Sequence, residues 1–248
     1  MVVLFLLWNL FGFAQQVPSA VKFNDRDSFR GFEESRNEFL DSLYVSATGT
    51  ENAYINGHDY YPYHFRSKYK PILYQDQECT ASLTVNGRQY DNLVLKYDTF
   101  TDEVIFPEID NAYGQRVNQI SINKTVIDSV IFFFRNDTIK FKYLSREDVG
   151  EELSPGFYEV AYDGKTRLLI RHRSAMHQRN GVDEYFYSPV NYVKTPAGYQ
   201  RMRSNNRFTE QFGAGAPVMK RILTQYRVNL RKATKNQIIN VLKSYDSQ

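Results

Sequence analysis

Residues 82–106 read SLTVNGRQYDNLVLKYDTFTDEVIF, and the fold class turns on how they are read. Asn86-Gly87 stands between two apolar alternations. A type I′ hairpin turn needs positive φ at both central residues, which Asn and Gly tolerate, so this stretch predicts a two-residue β-hairpin. A second strand pair follows, over 93–97 and 103–106, joined by a turn across 98–102.

The period of two extends outward over residues 53–173. SVIFFFRNDTIKFKYL (129–144) reads as strand, polar turn at 135–137, strand. GFYEVAYDGKTRLLIRHR (156–173) repeats that arrangement around Asp163-Gly164. Consecutive hairpins make an antiparallel meander, a kind of sheet that can leave one face wet. A composition of 19 Tyr and 18 Phe against one Trp suits such half-buried strands.

Two regions break the period. RDSFRGFEESRNEFLDSLYV (26–45) spaces its phenylalanines and leucines as one short helix. In GAGAPVMKRILTQYRVNL (213–230), Pro217 suits a helix start, and Val218, Ile222, Tyr226 and Leu230 fall four apart. ATKNQIINVLKSYDSQ (233–248) spaces Thr234 and Gln237 as a capping box ahead of an Ile238, Val241, Leu242, Tyr245 stripe. The fold expected is α+β and mainly antiparallel β. It comprises a short N-terminal helix, a curved meander of about eight to ten strands, and two to three C-terminal helices over about 204–248.

The first residues, MVVLFLLWNLFGFAQQ, hold an apolar run over 2–14, shorter than the roughly 20 residues that span a bilayer. Gly12 and Ala14 suit a signal peptide over 1–14 cut before Gln15, although no Lys or Arg precedes the run. The expectation is an exported protein, periplasmic or at the cell surface and not membrane-spanning, with 15–248 as a single domain. Cys79 is the only cysteine, so neither an intramolecular disulfide nor a cysteine zinc site can form. No cofactor or metal is expected.

Charge is unevenly spread. Residues 1–164 hold 15 Lys and Arg against 24 Asp and Glu, a net of −9, and residues 165–248 carry a net of +12. The basic third contains Arg201, Arg203, Arg207, Lys220, Arg221 and Arg227, followed by Arg231, Lys232 and Lys235. Such a surface suits an acidic envelope protein, an anionic glycan or lipopolysaccharide; nucleic acid is not expected outside the cell. The plainer alternative is that the basic helices dock on the chain's own acidic half.

A second candidate is YINGHDYYPYHF (54–65). On a strand, His58, Tyr60 and His64 share a face and could form a ligand strip. The two histidines lie six residues apart, roughly 20 Å along a strand, too far to share a metal. The plainer reading is a wet hairpin at Asn56-Gly57. His172 and His177, with Arg171, Arg173 and Arg179 around them, read as a basic rim. There is no phosphate loop and no G-x-S-x-G elbow, and nothing singles out two carboxylates for glycoside hydrolysis. A non-enzymatic binding module is the leading expectation. A hydrolase acting on glycan or peptide is the first alternative, and a lipid carrier the second.

Two segments resemble an uncharacterised family of exported, β-rich proteins of Bacteroidota. One is Asn56-Gly57-x-x-Tyr60, then Gly87-x-x-Tyr90, then Leu95-x-Tyr97-Asp98 with Asp102-Glu103-Val104 close behind. The other is the basic tail over 185–248. The resemblance implies export, a β-rich body and a helical end. It implies no activity and no catalytic residue.

Overall fold

A computed structural model describes residues 57–64, 66–74, 79–107, 109–110, 116–117, 119–135, 137–149, 153–195 and 198–248. The expected signal segment and N-terminal helix lie outside these residues, as does Asn56.

Asn86 and Gly87 form the turn expected of them. Their φ values are 48° and 78°, and they join β2 (Cys79–Val85) to β3 (Arg88–Leu93). The backbone N–H of Gly87 donates to Asp128 at 2.7 Å, which ties the turn to β9 (Ile127–Phe134). In β10 (Asp137–Leu144), Ile139 and Phe141 are buried while Thr138, Lys140 and Lys142 are exposed, the alternation of a sheet with one wet face. Next come β11 (Gly156–Asp163) and β12 (Arg167–Arg171), then β15 (Val190–Thr195) and β16 (Gly198–Arg201). These strands form one eight-stranded antiparallel sheet, in the order β16-β15-β12-β11-β10-β9-β2-β3.

A second sheet interrupts the meander. It takes β4 (Lys96–Asp98), β5 (Glu103–Phe106), β8 (Ile120–Ile122) and β1 (Gly57–Asp59), in the order β1-β8-β5-β4. Two short ladders complete the strands: β6 (Ile109–Asp110) with β7 (Arg116–Val117), and β13 (Ser174–Arg179) with β14 (Val182–Tyr187). The β13–β14 hairpin turns at Asn180-Gly181, both at positive φ, so it uses the same turn chemistry as 86–87.

The two larger sheets share a core. Leu83, Val130, Phe132, Ile139, Phe141 and Phe157 pack with Tyr97, Val104 and Ile122, and none of them exceeds 2 % exposure. Fully burying each such apolar side chain contributes about 1.5–3 kcal/mol.

After α1 (Arg146–Val149), three helices close the chain: α2 (Asn205–Glu210), α3 (Ala216–Gln225) and α4 (Lys235–Asp246). They cover the sheet at Leu168, Ile170 and Val193 with Phe208, Met219, Ile222, Val241 and Leu242. Pro217 sits in the first turn of α3, and Thr234 and Gln237 form both arms of a capping box on α4. The expected four-residue stripe on α3 is cut short. The helix stops at Gln225, Arg227 takes φ 51°, and the N–H groups of Arg227 and Val228 donate to the carbonyls of Thr224 and Leu223. This is a Schellman stop, closed by apolar Val228 and Leu223, and it places Leu230 outside the helix. Among the described residues, no helix is long and apolar enough to cross a membrane.

Candidate functional site

The described surface carries its exposed rings mainly on the segment 61–74 and on the β13–β14 hairpin. Lys68 pairs with Glu184 as a parallel bridge, its N–H donating to Asp183 O and its carbonyl accepting from Tyr185 N. Ile72 pairs with Asp98 in the second sheet. Held at both points, the segment runs beside the hairpin and leaves a groove of about 540 Å³ lined by Tyr69, Lys70, Tyr74, Ser174, Phe186 and Tyr187, among others.

Hydroxyls and exposed rings both line this groove. At its base, Thr99 Oγ1 lies 2.7 Å from Ser174 Oγ. Tyr69 is 72 % exposed, and its ring faces Phe186 at a centroid distance of 6.2 Å. Tyr69 and Tyr74 have φ values of 53° and 48°, a left-handed backbone that non-glycine residues rarely adopt. Such strain persists only where surrounding contacts hold it, and here the two pairings of the segment do so.

Beneath the groove lies a chain of polar groups. Tyr187 OH is 2.5 Å from His172 Nδ1, His172 Nε2 is 2.7 Å from Glu159 Oε2, and Lys235 Nζ is 2.9 Å from Glu159 Oε1. Lys235 also donates to Asp137 at 2.9 Å. Every group is satisfied when Nε2 carries the imidazole proton and donates to Glu159, and Nδ1 accepts from Tyr187. The ring of Tyr187 is exposed, but its hydroxyl turns inward. Burial, then the nearby Tyr74 and Glu159, push that hydroxyl well above the usual phenol value, so it remains a donor. Burial works against the charge of Lys235. Its hydrogen bonds to Asp137 and Glu159 outweigh that and hold the ammonium above the usual lysine value.

The sequence candidates are dispersed. His58 lies on the exposed edge strand β1, with Nε2 3.4 Å from Glu103 Oε1. Tyr60 is only 9 % exposed and donates to buried Asp98 at 2.8 Å, which places it under the surface rather than on it. His64 is exposed, and its Nδ1 accepts from Arg66 N. The three do not share a strand face, because β1 ends at Asp59. Among the described residues Gly57 opens no local hairpin: β1 pairs with β8, Gly57 opposite Ile122. Any Cβ at Gly57 would overlap the Ser121 carbonyl oxygen, so this pairing needs glycine.

Arg201, Arg203, Arg207, Lys220, Arg221 and Arg227 are all exposed on the C-terminal part, and Arg221 donates to Gln248. Among the described residues of 165–248, Arg167, Arg171 and Lys235 make ion pairs with the acidic half, through Asp163, Asp102, and Asp137 with Glu159. Cys79 is half-buried, and burial pushes its thiol up, which suits packing rather than attack. No three His, Cys, Asp or Glu side chains converge to hold a metal among the described residues.

Sequence reasoning missed the groove residues and the pairing of Glu159 with His172. The Asn180-Gly181 turn signal could have located the hairpin. No spacing links 69–74 to 185–187. Comparison with known protein families, with curated proteins and with solved structures returned no match.

Proposed function

We propose that this chain is an exported envelope protein that works by binding, and that its ligand is a glycan chain seated in the groove between Tyr69 and Tyr187. The observation that carries the reading is a groove lined by both exposed rings and hydroxyls, in which Lys70 is the only charged lining residue among the described residues. Ring faces take the apolar face of a sugar, and the Tyr and Ser hydroxyls meet its hydroxyl groups. Tyrosine supplies this contact with little conformational entropy to lose.

A hydrolase is the rival reading, and the His172–Glu159 pair is the feature that favours it. Neither residue lines the groove, however, and Tyr187 above them keeps its proton. A lipid carrier would need an apolar chamber, whereas Phe132, Phe141 and Phe157 fill the space between the sheets.

The test is calorimetric titration of the protein with neutral cello-, xylo-, malto- and chito-oligosaccharides, with reducing-end release followed in parallel. Binding of one series without release, weakened about tenfold by Tyr69→Ala or Phe186→Ala, supports the reading. Both residues are exposed, so both variants keep the parent's thermal midpoint. Release of reducing ends favours the hydrolase, and unchanged binding in both variants removes the groove from consideration.

A further inference from the structure

We propose that the C-terminal helices carry a second, independent binding site, a cluster of four arginines that takes an anionic polysaccharide. The cluster is assembled by one residue. Asn205, at the start of α2, donates through Nδ2 to Val228 O at 2.6 Å and accepts from Leu230 N at 2.9 Å. Arg203 and Arg207 flank Asn205, while Arg227 and Arg231 flank the two residues that it clasps. All four are exposed, and none makes an ion pair among the described residues. Acid is scarce in this stretch of chain: Glu210 and Asp246 are the only acidic residues between 198 and 248, and Asp246 accepts from Tyr162 and Thr166.

Arg227 adds a second kind of observation. It occupies the left-handed position of the Schellman stop, at φ 51°, where glycine is usual and an L side chain is strained. The backbone there requires positive φ but not arginine. What this side chain adds is an exposed guanidinium next in sequence to Val228, which Asn205 clasps.

Guanidinium forks match carboxylate, sulfate and phosphate oxygens two at a time, so a row of them suits a polymer with repeated anionic groups. A membrane surface fits less well. Tyr226 is the only large hydrophobic residue that stands exposed between 188 and 248 among the described residues, and its hydroxyl is 2.7 Å from Ser244 Oγ. A single-stranded nucleic acid would call for several exposed rings beside the cations, and this face offers that one.

The test uses the full chain and four probes: heparin, polygalacturonate, a short single-stranded DNA and phosphatidylglycerol vesicles. Expected is salt-sensitive binding of one or both polysaccharides, weakened about tenfold or more by combined Arg207→Ala and Arg231→Ala. Lys140→Ala with Lys142→Ala on β10 removes the same charge from an exposed strand face and leaves affinity within about twofold. Arg227→Gly is diagnostic: it raises the thermal midpoint by relieving the backbone while weakening polysaccharide binding. Equal losses in the two paired variants, tighter binding of DNA or vesicles, or no binding of either polysaccharide would each overturn the proposal.

Discussion

His172 Nε2 lies 2.7 Å from Glu159 Oε2, and the two side chains keep only 6 % and 4 % of their surface exposed. A buried polar pair is not itself strong evidence of stability, because desolvation offsets most of the attraction. Breaking one is different, since the surviving partner stays buried without compensation. Glu159 also receives Lys235, so its carboxylate joins the sheet to helix α4.

Glu159→Ala should therefore lose about 3–5 kcal/mol in denaturant unfolding, more than Lys235→Ala, whose ammonium is half-buried. A loss below about 1 kcal/mol would mean that water replaces the carboxylate without penalty.

Stability should fall steeply in alkali. Burial first, then the Asp98 carboxylate and its hydrogen bonds, raise Tyr60 and Tyr63 well above the usual phenol value; burial and Asp102 do the same to Tyr97. Unfolded tyrosine ionises at about pH 10, so above that pH the folded state holds more protons than the unfolded one and loses stability as pH rises. Lys235 acts in the same direction: its raised folded value makes its contribution complete below the unfolded lysine value and lost as pH rises through the folded one. Phenolate absorbance followed together with circular dichroism should show Tyr60, Tyr63 and Tyr97 ionising only as the fold is lost. A single tyrosine class titrating in an intact fold would refute this.

Gly57→Ala should detach β1 from β8, because the added carbon overlaps the Ser121 carbonyl. The expected loss is about 1–3 kcal/mol, with faster amide exchange at Tyr60, whose N–H donates to Gln119 O. Unchanged protection at Tyr60 would show that the strand can shift without penalty.

Asn205→Ala removes two hydrogen bonds and leaves the Leu230 amide without its acceptor. A loss of about 2 kcal/mol is expected, with exchange accelerated at Leu230 and not at Ile238 in α4. Equal acceleration at both amides would mean that the helices unfold as one unit rather than through this clasp.

Much of the fold was legible because its signals are local. Asn86-Gly87 makes its turn within two residues, and the Thr234–Gln237 box closes within four. The alternation of Ile139 and Phe141 with Lys140 and Lys142 records burial residue by residue. The end of α3 was less legible, because Arg227 occupies a position whose usual sign is glycine.

By itself, the sequence determined an antiparallel sheet built from hairpins, a helical end and a separation of charge. Each follows from the period of the apolar residues, from turn chemistry or from counting. Tertiary structure alone decided that β1 joins β8, that Tyr69 meets Phe186, and that Lys235 reaches Glu159 and Asp137. The physical reason is that closing a longer loop adds little entropic cost, so partners more than seventy residues apart, such as Lys235 and Glu159, need leave no spacing pattern in the chain. Their meeting is settled by which faces the packed core leaves available.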